Sequence, residues 1–497
     1  PLATRTRGLI QTAGQQPGNS GKIACGTRPF RALSSDSARD IMATPTKKQR
    51  IWGWMFFDWA QQPYATLGLT FIFAPYFAAV AADYFLAQGS EPTSAKANAQ
   101  GLWSSAQTLA GLGIAFSAPL LGAWADATGR KRPWFWLFMT IAILCAASLW
   151  MLKPDGTGLI LALVLFWVGF VASESAFNLN NAILPSLGTP EEVGRISGTA
   201  TAFGYWGGVL ALFIMLLFFA ENDTGKTLIG LSPAFGLDPD SREGTRFVGP
   251  FIALWFALFL VPFFLWNHDD PLERKKPDSV RHVLNELWIS IQRVSKRKSC
   301  RSFLLSSLFY RDALTAMYAY GGIYATLVLD WQVIQIGVFG IIAAISAAIL
   351  SWAGGLADAR FGPKPVIRIC IWALILVAST IILMSRESFF FVPLAPGSAL
   401  PDIVFFICGA VIGGAGGALY SASRSMMVRH CDPLRPGEGF GLFALAGKAT
   451  AFLAPAMITI VTLVTQSNQL GFLPVVGLFL LGLILLVWVD PEGERPA

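Results

Sequence analysis

Gly122-Ala-Trp-Ala-Asp126-Ala-Thr-Gly129-Arg130-Lys131-Arg132 closes one long apolar run, and Gly354-Gly-Leu-Ala-Asp358-Ala-Arg360-Phe-Gly362-Pro-Lys364 closes another with one extra residue. Each stretch sets small residues, one carboxylate, a turn glycine and a basic cluster at the end of an apolar segment. Further echoes accompany the pair. Gly198 and Gly204 are spaced like Gly441 and Gly447, and Asp58 finds a counterpart in Asp312. Such parallel duplication implies six spans plus six spans related by a pseudo-twofold axis, with substrate expected between the halves near the midplane.

Composition agrees with a membrane protein. Apolar residues make up 54% of the chain, charged residues only 13%, and mean hydropathy is +0.54, whereas a soluble globule carries about 25% charged residues. Twelve apolar stretches are predicted as transmembrane helices, at 53–82, 102–124, 134–152, 159–181, 196–220, 247–266, 303–329, 333–353, 366–385, 402–420, 440–462 and 472–489. Most approach the ~20 residues that a helical crossing needs. Their continuous rather than alternating apolar character excludes transmembrane strands. The expected organisation is a tail at 1–51, a six-helix bundle at 52–266, a linker at 267–301, a second six-helix bundle at 302–490 and a tail at 491–497.

Lys and Arg set the orientation. The expected outer loops hold only Lys96, Lys153, Lys226, Arg242, Arg246 and Arg386 of the 37 basic residues, so both termini are placed in the cytoplasm. The net charge of +7 follows from that asymmetry with some attraction to anionic lipid, and nucleic-acid binding is a poor reading. Residues 1–41 contain no Met and lack the apolar core of a secretory signal. They read as upstream translation or a disordered tail, with Met42 opening a natural start. Within the linker, Val280, Val283, Leu284, Leu287, Trp288, Ile291 and Val294 recur at helical spacing, which predicts an amphipathic helix lying flat on the inner leaflet. The six cysteines have neither disulfide nor metal spacing. Nothing resembles a nucleotide loop, a metal cluster or a catalytic pair, so neither an enzyme nor a cofactor or metal site is expected; a secondary carrier working by alternating access is favoured, with a non-transporting membrane sensor or scaffold, or a carrier of sugars, drugs or lipid-like substrates, as the alternatives.

The 122–132 stretch resembles the loop motif of the major facilitator superfamily. Within that superfamily, three further segments resemble the vacuolar amino-acid effluxers, the autophagy-related permeases, and their bacterial relatives. They are Phe57-Asp58-Trp59-Ala60 with Tyr64-Ala65-Thr66; Phe309-Tyr310-Arg311-Asp312 with Gly321-Gly322-Ile323-Tyr324; and Ser423-Arg424-Ser425 with Phe440-Gly441-Leu442-Phe443 through Gly447-Lys448-Ala449-Thr450. The chain departs at Gln61-Gln62-Pro63, Ala313, Gly439 and Ala454, which bears on substrate rather than fold. The resemblance implies an all-α facilitator fold in the bacterial inner membrane, a monomer with a small-molecule substrate, and gating residues at Gly122, Asp126, Arg130, Arg132, Asp358 and Arg424. Asp126 is expected at the N-terminus of an adjoining helix, and the arginines are expected to pair across the half interface.

Five ionisable side chains lie inside apolar spans: Asp58, Glu174, Arg311, Asp312 and Lys448. A charge at the bilayer centre costs roughly 2.5–3.5 kcal/mol on insertion scales, so such residues mark substrate or ion paths. A zwitterionic amino acid would suit them, its carboxylate on Arg311 or Lys448 and its amine on Asp58, Asp312 or Glu174; pairing of these charges with one another is the alternative. Gln62, Tyr64, Asn178, Tyr205, Trp206 and Tyr320 are candidates to complete the pocket. Asp58 and Glu174, with no cation assigned to either, are the candidates for proton coupling. Gly409, Gly413 and Gly417 form a ridge for close helix contact.

Overall fold

The computed structural model describes residues 45–494 except 223, 270–279, 332, 451–452 and 468. The reading of tail 1–41 lies outside the described residues, as do most of the first turns of the linker.

The helices follow in chain order: α1 Lys47–Ala87, α2 Pro92–Thr128, α3 Arg132–Ser148, α4 Leu159–Asn181, α5 Pro190–Phe218, α6 Glu243–Trp266, α7 Val280–Lys296, α8 Lys298–Leu329, α9 Val333–Phe361, α10 Pro363–Ile382, α11 Leu400–His430, α12 Pro436–Ala446, α13 Leu453–Thr465 and α14 Leu470–Leu486. A short antiparallel hairpin, β1 Ser388–Phe389 and β2 Val392–Pro393, joins α10 to α11. Among the described residues nine helices are long and apolar enough to cross a membrane, with α13 and α14 as shorter apolar helices. The predicted stretch at 440–462 is broken, because α12 ends at Ala446 and α13 begins only at Leu453.

Local chemistry explains the boundaries. Thr46 with Gln49, and Thr189 with Glu192, form reciprocal capping boxes that start α1 and α5. Gly129, at φ +65°, ends α2 in the left-handed conformation that only glycine adopts without strain, just before the basic cluster. Pro63 lacks the N–H that a regular helix would use, and the chain from Tyr64 to Phe71 widens into a π-helix before α1 resumes.

Each half of the sequence has its own apolar core. Phe57, Phe135, Phe256 and Phe263 pack together early in the chain, and Phe303, Phe405, Leu374 and Phe479 late in it. The glycine ridge of α11 lies against α9, where a side chain at Gly409 would strike Phe339 and one at Gly413 the Ala343 backbone. Helix α7 does not merely lie on a membrane surface. Leu287 and Ile291 pack on Ala123 and Trp124 of α2 while Trp288 stays 59% exposed, so protein covers part of the face expected to meet lipid.

Candidate functional site

The ends of the helices carrying Lys47, Arg130, Lys131, Arg132, Lys364 and Arg429 form the basic end of the bundle. Here the early and late helices meet closely. Gly122 of α2 lies against the Gly437 carbonyl of α12, and Gly441 of α12 against Pro119 of α2. Gly198 of α5 touches Gly355 of α9, and Gly194 faces the Asp358 carboxylate. The repeated glycines of the sequence thus occupy two equivalent helix crossings, α2 on α12 and α5 on α9. Asp126 Oδ2 accepts the Glu438 backbone N–H at 2.9 Å, in the first turn of α12, where the helix dipole favours a carboxylate. Its counterpart Asp358 is 1% exposed, yet neither of its oxygens has a hydrogen bond among the described residues.

The arginines that follow Gly129 behave otherwise than expected. Arg132 donates from Nη2 to the Phe264 carbonyl at 3.0 Å and from its backbone to Asp269, both within the early helices and the segment just after them. Arg130 is exposed. Among the described residues neither arginine pairs across the interface.

The cross-bundle cation is Arg424, fully buried on α11. Its Nη1 lies 3.1 Å from Asp58 Oδ2 of α1 and 3.2 Å from Asn181 Oδ1 of α4. Its Nη2 donates to Thr201 Oγ1 at 2.6 Å and the Ser197 carbonyl at 2.9 Å, and its Nε to Ser197 Oγ, all on α5. The guanidinium also faces the rings of Trp54, Phe177 and Tyr420. One arginine therefore ties α11 to three early helices. This corrects the reading of Asp58 as a carboxylate without a cation: burial of both groups is tolerated because each finds the other together with several hydrogen bonds.

Deeper in the bundle is a second, half-buried set. Glu174 of α4 accepts from Gln61 Nε2 at 3.1 Å and has no cationic partner among the described residues. Arg311 of α8 donates from Nη1 to the Phe443 carbonyl at 2.9 Å, with its guanidinium 4.4 Å above the Phe443 ring and against Gly447. No carboxylate pairs with it among the described residues. Lys448 follows in the turn between α12 and α13, half-buried, its backbone N–H on the Leu445 carbonyl and its side chain without a hydrogen bond among the described residues. Tyr420 stands within electrostatic range of Arg424, Arg311, Glu174 and Asp58, so it joins the two sets. Thr315 and Tyr318 continue the exposed polar face of α8 beyond Arg311.

Other candidates are placed elsewhere. Asp312 is buried, and its Oδ2 accepts the Ala454 N–H at 3.1 Å, which commits it to the start of α13. Tyr64 is 1% exposed and donates to the Phe166 carbonyl at 3.0 Å, so it is a packing residue of the early core and not a pocket wall. Tyr320 packs on the late core. Trp206 is 44% exposed, Gln62 and Asn178 are half-buried, and the Tyr205 ring approaches Gly417 across the two halves. Sequence reasoning missed Tyr420, Ser197 and Thr201. A signal existed: Tyr420 and Arg424, like Ser197 and Thr201, are four residues apart and share a helix face. Among the described residues no group of His, Cys, Asp and Glu could hold a metal ion.

The sequence pattern described as "Vacuole effluxer Atg22 like" matches residues 46–496. An uncharacterized MFS-type transporter, YxiO of Bacillus subtilis, is 21% identical over 462 residues, covering 91% of this chain and 97% of its own. Autophagy-related protein 22 of Cryptococcus neoformans is 24% identical over 314 residues, 61% of this chain and 52% of that protein. This chain thus spans about half the length of the fungal relatives it matches. Among solved structures, the human organic anion transporter MFSD10 (TETRAN) superposes with TM-score 0.64 at 16% identity, covering 89% of this chain and 100% of that one. The Escherichia coli fucose:proton symporter FucP superposes with TM-score 0.60 at 15% identity, covering 88% and 98%. These likenesses are of fold.

Proposed function

From the premise that the chain belongs to the Atg22-like vacuole effluxer family, a family of major facilitator transporters, we propose that it moves a small zwitterionic solute, an amino acid, by alternating access with proton coupling. The observation that carries this reading is the half-buried set of Glu174, Arg311 and Lys448, in which none has an ion-pair partner among the described residues. A solute carboxylate would meet Arg311 and Lys448, and its amine Glu174. Each ionic group would then offset the desolvation of the protein group it meets. Asp58 leaves the list of amine partners because Arg424 occupies it, and Asp312 because α13 does.

The basic residues at that end favour assigning it to the cytoplasm, its close packing fits a state closed there, and a monomer in a bacterial inner membrane completes the reading. Two cations against one carboxylate also favour organic anions as a second substrate class. Counterflow in proteoliposomes, screened over amino acids, sugars and organic anions at several pH values, tests the proposal. Saturable exchange of a zwitterion is the expected result. A hit confined to sugars, or exchange by no zwitterion beside a strong organic anion, overturns the substrate assignment.

A further inference from the structure

We propose that Asp312 is a proton-binding site whose charge state governs how firmly the start of α13 is held to α8. It takes its purpose from the transport reading but stands on separate geometry.

Asp312 is 4% exposed in the middle of α8. Its two oxygens are unequal: Oδ2 accepts the Ala454 N–H at the second residue of α13, and Oδ1 has no hydrogen bond among the described residues. Helix α13 is 13 residues long and begins after the break in the predicted eleventh span, so its first N–H groups lack intrahelical acceptors. An ionised carboxylate is favoured there by the helix terminus. It is disfavoured by burial without a cation.

No neighbouring charge resolves that conflict. Arg311, adjacent in sequence, is turned to the Phe443 carbonyl and ring. Lys448 makes no ion pair among the described residues, and Tyr310 is spent on Ser423. Helices α13 and α14 contain no titratable side chain. On α11, Arg424 faces Asp58; on α12, Glu438 is met by Arg435; and on α10, Lys364 bonds the Val487 and Val489 carbonyls. The remaining α10 groups are exposed Arg368 and buried Cys370, while α7 contributes basic side chains at the basic end.

A hydronium ion gives its proton to Oδ1: one O–H bond of hydronium breaks to leave water, one forms on the carboxyl group, and the charge is cancelled. Oδ2 then becomes a neutral carbonyl oxygen, a weaker acceptor for Ala454. The attachment between α8 and α13 loosens, and tightens again on deprotonation. This links proton uptake to the break between α12 and α13, the turn that also carries Lys448.

The test uses the full chain in lipid nanodiscs with no solute added, so a failed transport screen leaves it intact. Infrared difference spectra recorded between about pH 4 and pH 9 should show a carboxyl C=O band growing as pH falls. The part of that band contributed by Asp312 should be missing in Asp312→Asn, which keeps an acceptor for Ala454, and remain in Glu174→Gln and Asp58→Asn. Asp312→Glu should shift the band rather than abolish it, which separates titration from misfolding. Corrected for the pH dependence of intrinsic amide exchange, protection over Leu453–Thr465 should fall at low pH in the wild type and become pH-independent in Asp312→Asn. A band unchanged in Asp312→Asn, or no carboxyl titration over the whole range, overturns the proposal.

Discussion

Arg424 Nη1 and Asp58 Oδ2 lie 3.1 Å apart although 366 positions separate the residues in sequence, and both are buried. The pair couples helices from the early and late parts of the chain, so its loss should be felt by the whole molecule. Asp58→Asn strands a buried guanidinium and should lower stability by about 3–5 kcal/mol. Arg424→Met alone should cost a similar amount. Combined, the two substitutions should cost less than their sum, since neither charge is then left alone. Thermal unfolding of the detergent-purified protein checks this; fully additive losses would show that the pair is not coupled.

Glycine contacts should control closure of the basic end. A Cβ at Gly198 would collide with Gly355 and come within 2.6 Å of the Ser351 carbonyl, both backbone groups that cannot swing aside. Gly198→Ala should therefore penalise the closed state by about 1–3 kcal/mol. A penalty of one to two kcal/mol changes its population about 5–30-fold. Maleimide labelling of a cysteine placed at Ser421, in a background without other cysteines, should accelerate accordingly. Equal labelling rates would mean that α5 and α9 can separate slightly without opening the end.

How much of this was legible beforehand depends on the kind of contact. The duplicated stretches at 122–132 and 354–364, with the repeated glycines Gly198 and Gly441, encode helix ends and close approaches through local residue types, so the crossings at Gly122 and Gly198 follow from them. The unpaired charges at Glu174 and Arg311 were visible as isolated polar residues in apolar runs. Partnership was not visible. Nothing local distinguishes Asp58, taken by an arginine in another part of the chain, from Glu174, held only by Gln61. Pro63 signals a distortion, but its outcome as a π-helix depends on neighbouring helices. The break after Ala446 was concealed because apolar residues continue on both sides of it.

The two repeat carboxylates should respond differently to neutralisation. Asp126 accepts the Glu438 N–H at the start of α12, so removing its side chain in Asp126→Ala should cost about 0.5–2 kcal/mol. Asp358 lacks a hydrogen bond on either oxygen among the described residues, so Asp358→Asn should cost less than Asp126→Asn. Unfolding temperatures of the four single variants, with Asp358→Ala completing the set, measure the asymmetry. Equal losses at both positions would imply that the second repeat gains its contacts only in another state of the molecule.

Arg311 should resist replacement by lysine. Its guanidinium donates from Nη1 to the Phe443 carbonyl while its centre lies 4.4 Å from the Phe443 ring centroid. A lysine ammonium can satisfy the carbonyl or face the ring, but it cannot reproduce the planar fork. Arg311→Lys should weaken counterflow of a carboxylate-bearing solute by about tenfold or more, corresponding to about 1.4 kcal/mol, with unfolding temperature nearly unchanged. A comparable drop in stability would instead identify the arginine as a packing element of α8 and α12.

Glu174 should carry the pH dependence of solute exchange. It is half-buried, accepts one hydrogen bond from Gln61 and meets no cation among the described residues, so a proton or a solute amine is left to balance its charge. Glu174→Gln fixes the neutral form while retaining an oxygen for Gln61. Counterflow by this variant should lose its variation with pH. Accumulation driven by a pH gradient should fall to background, because the side chain can no longer bind and release a proton. Retained gradient-driven accumulation in Glu174→Gln would assign coupling elsewhere, and combining it with Asp312→Asn would then decide whether the buried carboxylate at α13 suffices alone.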